Sequence, residues 1–318
     1  MKAVVYEQYG GPEVLQVKEM SNPSPKENEV LIKVGGSAIN PVDTYFRKGI
    51  RQVPSFPHIP HFDLGGTIVE VGEKVTEYKI GDKVWGTNIP GTCAEYVVVS
   101  TDQVFPLPDF VSEVEGAALA MPFMTAHLSL HFRAKVQPGE FVLIYGGAGA
   151  VGNAAIQLAK RAGAKVIATA STQEKLELCK KAGADYGILY TEEDVVEKVK
   201  GITDGVDVIL DMSLSENMES DLEIIKVGGR IITIGSPKNN APILPWRVLN
   251  QKHASLMGVL LFTAPKGELV KAGEEISSLL SQKTIHSHVG ATYPFEEAAK
   301  AHQAIEAHTL NGSIVLIP

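Results

Sequence analysis

Residues 141–152 read FVLIYGGAGAVG, an apolar run followed directly by a cluster of glycines. The run 141–145 has the length and composition of a buried strand, and the glycines at 147, 149 and 152 match the pattern G-x-G-x-x-G. A helix is predicted next, over residues 151–162. The glycines permit a tight turn and close approach to a pyrophosphate, and the first helical turn offers that group unpaired N–H donors. The segment therefore predicts a dinucleotide-binding strand–turn–helix unit.

The chain continues to alternate strands with helices as far as about residue 236. Strands are predicted at Lys165–Ala170, Val206–Asp211 and 230–235, with a helix over 174–181. Apolar β-rich runs that alternate with helical segments are typical of a doubly wound parallel sheet, which places the chain in the α/β class.

Upstream of Ala117 the pattern is different. Short β-rich runs at 30–34, 66–71, Lys83–Gly86 and 96–99 are separated by Gly and Pro turn signals, which indicates a compact, mostly β domain. Beyond residue 236 the sequence predicts helices over 268–281 and 295–307 and a last strand at Ser313–Ile317.

Length and composition limit the function classes. The 318 residues correspond to about two domains. With 29 Lys+Arg against 37 Asp+Glu, the net charge is −8, which argues against nucleic acid or an anionic membrane as a partner. Two cysteines exclude a disulfide framework and a four-thiolate zinc site, and a reducing, cytoplasmic compartment is expected.

The end of the second predicted strand bears on the cofactor. Residues 169–172 read Thr-Ala-Ser-Thr, without the carboxylate that NAD enzymes of this fold place there. Ser171 can donate a hydrogen bond to a 2′-phosphate, Lys175 can supply charge, and Tyr190, after the third strand, can close the same pocket. NADPH is therefore expected over NADH. Two alternatives stay open: Ser171 caps the following helix, and Lys175 is a solvated charge.

No metal site is expected. Among the nine histidines, His127 and His131 are spaced i, i+4 on a predicted helix, but zinc needs at least three protein ligands.

The whole chain resembles the zinc-free branch of the medium-chain dehydrogenase/reductases, and most closely the NADPH:quinone oxidoreductases and zeta-crystallin. The segments that carry the resemblance are 40–49, 69–72, 79–84, 146–152, 228–236, 258–262 and 293–295. The family implies a GroES-like β-barrel catalytic domain (1–122 and 263–318) and a Rossmann NADPH-binding domain (123–262), with the active site in the cleft and a homodimer or homotetramer.

The resemblance also implies site residues. For the pyrophosphate these are Gly147, Ala148, Gly149, Ala150, Val151 and Gly152, and for the 2′-phosphate Ser171, Lys175 and Tyr190. For the ribose and nicotinamide they are Asn217, Gly235, Ser236, Gly258, Val259 and Leu260. The implied catalytic residues are Asn40, Tyr45 and Thr125. Each has a structural alternative: Asn40 forms a turn before Pro41, Tyr45 packs in the core, and Thr125 caps or packs its helix.

The stretch His61-Phe62-Asp63 departs from the family pattern. In zinc-dependent relatives the matching motif is Gly-His-Glu, so Phe62 occupies the ligand position, and a phenyl ring cannot bind zinc. His61 replaces the glycine, and its bulk is expected near the substrate mouth.

The activity that the resemblance implies is reduction of a quinone by NADPH without a metal. Tyr45 or Asn40 would hydrogen-bond the acceptor oxygen, where negative charge develops, and water or Tyr45 would supply the last proton. The alternatives are an NADPH-dependent enone or 2-alkenal reductase and a non-enzymatic NADPH-binding protein.

Overall fold

The computed structural model describes residues 1–307 and 310–318. The chain divides into two compact units. The first comprises residues 1–121 and 270–318, and the second comprises residues 122–269.

The elements follow in chain order. The strands before residue 110 are β1 (Lys2–Val5), β2 (Gln16–Glu19), β3 (Glu29–Ile39), β4 (Asp63–Val71), β5 (Lys83–Gly86), β6 (Tyr96–Ser100) and β7 (Val104–Pro106). Those that follow are β8 (Phe141–Ile144), β9 (Lys165–Ala170), β10 (Tyr186–Leu189), β11 (Val206–Asp211), β12 (Ile225–Thr233), β13 (Ser255–Gly258), β14 (Val289–Pro294) and β15 (Ser313–Ile317). The helices are α1 (Pro41–Arg47), α2 (Glu113–His127), α3 (Ala150–Arg161), α4 (Gln173–Lys181), α5 (Val195–Ile202), α6 (Leu214–Ile224), α7 (Trp246–Gln251), α8 (Lys266–Ser281) and α9 (Ala298–Glu306).

The second unit is built on the predicted parallel sheet. Its six strands run in the order β10-β9-β8-β11-β12-β13, and every pair is parallel. This is the doubly wound order in which ligands bind outside the carboxyl ends of the strands, where the order reverses between β8 and β11. The strands read as apolar runs because both faces are covered, and Leu143, Ile167 and Ile209 are fully buried.

The first unit contains a seven-stranded sheet in the order β14-β15-β3-β4-β5-β7, with β6 also paired to β3. All of its pairs are antiparallel except β14 with β15, which is the mostly β unit that the sequence predicts. Its core contains the alternating apolar residues of β3 and β4, among them Val30, Ile32, Leu64 and Ile68. Within the described residues, no helix is long and apolar enough to cross a bilayer.

Three local features differ from the expectations. Helix α1 is present in the structure but is not predicted from the sequence, although Pro41 at its first position and Asn40 before it are signals for the start of a helix. Strand β12 begins at Ile225, five residues before the predicted start at 230. Helix α2 ends at His127 and passes into a π-helical turn, Leu128–Arg133, so His131 lies on that turn and not on a regular helix.

Helix α8 is anchored to the antiparallel sheet at two positions. The Trp85 indole N–H donates to Ser277 Oγ at 2.9 Å, and Ser277 Oγ donates to the Pro106 carbonyl at 2.9 Å. One turn earlier, Gly273 lies directly over the Phe105 ring, where an added Cβ would come within 2.2 Å of the ring carbon Cζ. Phe105 is itself buried against Trp85, with ring centroids 5.1 Å apart, so it cannot move away.

We expect Gly273→Ala to destabilise the protein by about 1–3 kcal/mol, because the new methyl group overpacks this contact. Gly267→Ala, in the same helix, is the matched control, since no atom lies within 4 Å of its added Cβ. The measurement is urea unfolding followed by fluorescence. Equal midpoints for the two variants would contradict the close approach of α8 to Phe105.

Candidate functional site

The glycine loop after β8 is held against β9 by two backbone N–H groups. Gly146 N donates to Thr169 Oγ1 at 3.2 Å, and Gly147 N donates to the Thr169 carbonyl at 2.9 Å. Gly149 then precedes α3 as its N-cap residue. The first-turn N–H groups of Ala150, Val151 and Gly152 have no acceptor within the helix, so they are available to an anion.

Two glycines of the loop stand where no side chain fits. A Cβ on Gly152 would lie 2.3 Å from the Gly146 carbonyl oxygen, and a Cβ on Gly147 would lie 2.8 Å from Cys179 Sγ. Gly152 therefore permits α3 to pack on the turn, and Gly147 permits the turn to pack on α4. The predicted pyrophosphate residues thus form a backbone cradle at the carboxyl end of β8, which fits a dinucleotide phosphate.

The residues predicted for the 2′-phosphate come together at the ends of β9 and β10. Lys175 Nζ donates to Ser171 Oγ at 3.2 Å. The cap of α4 is Thr172, whose Oγ1 accepts from Lys175 N at 3.2 Å, so Ser171 is not the capping residue. Tyr190 is 51% exposed, and its backbone N–H donates to the Ala170 carbonyl at 3.2 Å. One cation and two hydroxyl groups therefore face solvent beside the start of a helix.

The residues predicted for the ribose and nicotinamide follow the other strands of the same sheet. Asn217, on α6, donates from Nδ2 to Asp211 Oδ1 at 2.9 Å, and burial raises the pKa of Asp211. Ser236 Oγ accepts from Ser215 N at 3.1 Å. Val259 N donates to the Thr233 carbonyl at 3.1 Å. The remaining members of this set are Gly235, after β12, Gly258, at the end of β13, and Leu260, which is partly exposed.

In the first unit, Asn40 is tied to a buried carboxyl group. Asn40 Nδ2 donates to Asp63 Oδ2 at 2.8 Å, and Asp63 accepts two further hydrogen bonds, from Thr87 Oγ1 and from Met121 N. Burial raises the pKa of Asp63 to about 7, although the three donors oppose the shift. Asp63 is not among the site residues predicted from the sequence, and its only signal there is its place in the His61-Phe62-Asp63 motif.

Tyr45 and Thr125 belong to different units. Tyr45 lies on α1 and is partly exposed, and its hydroxyl has no hydrogen-bond partner among residues 1–307 and 310–318. Thr125 is buried and lies near the end of α2 in the second unit. Its carbonyl oxygen accepts a hydrogen bond from Ser129 Oγ at 2.7 Å.

His61 does not lie where the sequence places it. It is 1% exposed and adopts φ +71°, a left-handed conformation that suits the glycine of the family pattern. Its imidazole turns inward, where Nδ1 lies 3.0 Å from Ser37 Oγ and Nε2 lies 3.0 Å from His302 Nε2. The expectation that His61 adds bulk at a substrate mouth is therefore wrong. Phe62 is also buried, against Phe46.

The direction of every hydrogen bond in this buried chain is fixed by Arg47. A guanidinium can only donate, so His302 Nδ1, 3.0 Å from Arg47, must accept. His302 then donates from Nε2 to His61, which donates from Nδ1 to Ser37 Oγ, which donates to Thr92 Oγ1 at 2.9 Å. Burial lowers the pKa of His61 to about 3 and lowers that of His302 as well, so both rings are neutral, as the chain requires.

The fold and the cradle together define a class of protein. One unit carries a doubly wound parallel sheet with a phosphate-binding glycine loop, and the other carries a mostly antiparallel sheet with buried polar residues at the ends of β3 and β4. This combination defines a dehydrogenase-type fold that binds a dinucleotide.

Comparison with known proteins narrows the class. The profile of the alcohol dehydrogenase GroES-like domain matches residues 26–109, and that of the zinc-binding dehydrogenases matches residues 150–278. Quinone oxidoreductase from Sus scrofa is 36% identical over 100% of this chain and 98% of the relative. The crystal structure of Escherichia coli quinone oxidoreductase complexed with NADPH has a TM-score of 0.89 at 31% identity, with 100% of both chains covered. An NAD-dependent alcohol dehydrogenase structure has a TM-score of 0.92 at 30% identity, with the same coverage. The chain belongs to the quinone oxidoreductases of the medium-chain dehydrogenase/reductase family.

The raised pKa of Asp63 predicts how the stability of the protein depends on pH. Because its pKa rises from 3.8 to about 7 on folding, the folded protein keeps a proton that the unfolded chain loses, and this contribution to stability falls as pH rises between these values. Asp63→Asn mimics the neutral carboxyl group: its oxygen can accept from Asn40 and Met121 while its amide donates to Thr87. We expect the variant to gain stability relative to the wild type as the pH rises from 4 to 7, by at most about 1.4 kcal/mol per pH unit.

The measurement is urea unfolding at several pH values, followed by Trp85 fluorescence in a Trp246→Phe background. A stability difference that is constant across this pH range would show that Asp63 is ionised throughout.

Proposed function

We propose that the protein reduces quinones with NADPH as the electron donor. The observation that carries the proposal is the pair Ser171 and Lys175, joined at 3.2 Å beside a glycine cradle that has room only for backbone. A carboxylate at this position would repel a 2′-phosphate, whereas an ammonium and a hydroxyl group bind one. The full-length similarity to quinone oxidoreductases, one of them complexed with NADPH, supports the same conclusion.

The chain's own residues have separate parts in this proposal. The first-turn N–H groups of α3 bind the pyrophosphate, and Ser171, Lys175 and Tyr190 bind the adenosine phosphate. Residues that follow β11, β12 and β13 border the nicotinamide. When bound, NADPH supplies the hydrogen and the two electrons that reduce the acceptor.

Tyr45 is the residue that we propose as donor to the acceptor oxygen. The Asn40 amide already donates one hydrogen to Asp63, so Asn40 is fixed in orientation and has one N–H left. The Tyr45 hydroxyl, without a partner in the described parts of the chain, is able to donate to an oxygen on which negative charge develops. Thr125, from the second unit, is retained as a third member of the proposed catalytic set.

The proposed reaction needs no zinc. A quinone is electrophilic, so proximity and hydrogen bonding suffice to direct its reduction. Phe62 stands at the family's zinc-ligand position and cannot bind zinc, and Cys93 and Cys179 are both buried, with pKa values raised by burial. We further propose a cytoplasmic protein that assembles as a homodimer or homotetramer.

Lys175→Ala tests the cofactor assignment. We expect NADPH to bind roughly 10-fold more weakly, because a charged hydrogen bond to the 2′-phosphate is lost, while NADH binding stays the same. Lys181→Ala, at the exposed end of the same helix, is the matched control and should bind NADPH like the wild type. The dissociation constants come from titration of NAD(P)H fluorescence. Equal weakening for both nucleotides would argue against a 2′-phosphate contact.

Steady-state turnover tests the activity. Oxidation of NADPH is followed at 340 nm with 9,10-phenanthrenequinone or 2-hexenal as acceptor, before and after treatment with EDTA. We expect turnover with the quinone, insensitive to EDTA, and a loss of roughly 10-fold or more in kcat for Tyr45→Phe. Turnover with 2-hexenal alone would identify an alkenal reductase instead, and binding of NADPH without any turnover would identify a non-enzymatic binder.

A further inference from the structure

A solvent-open cavity of about 310 Å³ lies in the second unit, between the π-helical turn and the segment after β13. Leu128, Phe132, Val259 and Leu260 contribute apolar side chains to its wall, Thr263 contributes a hydroxyl group, and Arg133 lines one side. This volume is at the lower end of the range for small-molecule sites, which is roughly 300–1,000 Å³. The cavity opens beside Gly258, Val259 and Leu260, the residues proposed above to border the nicotinamide.

Arg133 is partly buried, and it differs from Arg47 and Arg230 in having no anion to bind among the described residues. Its Nε is buried without a hydrogen-bond partner, and Arg133 makes no ion pair within residues 1–307 and 310–318. Its guanidinium carbon lies 5.7 Å from the centroid of the Phe132 ring. By contrast, Arg230 donates from Nε to the Ala134 carbonyl at 3.0 Å and holds Glu140 with both terminal nitrogens, at 2.9 and 2.7 Å.

Arg133 therefore has a buried donor and a positive charge that an anionic ligand would satisfy. A buried N–H donor without an acceptor is unfavourable, and so is a partly buried charge without a counter-charge. The planar fork of the guanidinium matches the two oxygens of a carboxylate or a sulfonate. Since Leu128, Phe132 and Leu260 line the same cavity, the group that carries the anion should be a ring or another flat apolar body.

We propose that this cavity binds the anionic end of the electron acceptor, and that Arg133 selects aromatic quinones bearing one carboxylate or sulfonate group. The ring lies against Leu128, Phe132 and Leu260, and the anion pairs with the guanidinium. This assignment rests on the proposed function and names the substrate class of the same site. The bound anion satisfies the Nε–H that the protein leaves unpaired.

Two isosteric probes test the binding part directly. Naphthalene-2-sulfonate and the neutral naphthalene-2-sulfonamide differ mainly in charge, and calorimetric titration of the full chain, saturated with NADPH, gives both dissociation constants. We expect the sulfonate to bind roughly 10- to 100-fold more tightly, which is the range for a hydrogen bond to a charged group. Arg133→Gln should bring the two constants together, and Arg133→Lys, which keeps the charge but not the fork, should give an intermediate preference.

Arg161→Gln, at the exposed end of α3, is the matched control and should retain the full preference. Far-ultraviolet circular dichroism and the NADPH affinity establish that each variant is folded. Equal affinities for the two probes in the wild type, or a preference that persists in Arg133→Gln, would overturn the proposal.

Turnover separates this proposal from the one on which it rests. For 1,2-naphthoquinone-4-sulfonate against 1,2-naphthoquinone, the ratio of kcat/KM should fall roughly 10-fold or more in Arg133→Gln and should stay unchanged in Arg161→Gln. Absence of turnover with both quinones, combined with tight and Arg133-dependent binding of the sulfonate, would refute quinone reduction and leave the anion site in place. Turnover with an unchanged ratio would refute the anion site and leave quinone reduction in place.

Discussion

The guanidinium of Arg47 is fully buried and can only donate hydrogen bonds, and the arrangement of the first unit follows from this constraint. Its acceptors come from three places: the Gly10 carbonyl, His302 on α9 and the Glu306 carboxylate at the end of α9. Because Arg47 is the last residue of α1, these contacts fix the helix that carries Tyr45 and begins beside Asn40. An unpaired guanidinium in this position would cost several kcal/mol, so the three acceptors and the helix are held together.

The second unit depends on a different constraint, the close approach of backbone to backbone. A parallel sheet places the carboxyl ends of all its strands on one edge, and the loops at that edge must reach a ligand without side chains in the way. Gly147 and Gly152 meet this requirement, since α4 and the turn itself occupy the space of their side chains. The polar residues that face the ligand, Ser171 and Lys175, then come from the next strand and helix. The local sequence therefore determines most of this site.

This difference explains what could be predicted from the sequence. Strands β9 and β11 were predictable to the residue because β-branched apolar runs between glycine and polar turns have few other interpretations. Helix α1 has only seven residues, too few to show a helical period in the sequence. In β12, Gly228 and Gly229 interrupt the run of apolar residues that would indicate a strand. Contacts between distant residues leave no local signal: His61 and His302 are 241 positions apart. That Arg133 Nε lacks a hydrogen-bond partner in the described parts of the chain can likewise be seen only in the folded structure.

The chain of hydrogen bonds from Arg47 to Thr92 also has a consequence for charge movement. A row of histidines and hydroxyl groups can conduct a proton when each member can turn over and the end group can take up or release one. Here the end group is the Arg47 guanidinium, which can only donate hydrogen bonds, and it holds both imidazoles in one tautomer. All hydrogen bonds of the row therefore point in one direction, from Arg47 towards Thr92, and the row does not conduct protons. Any proton that completes a reduction in this protein has to arrive by another path.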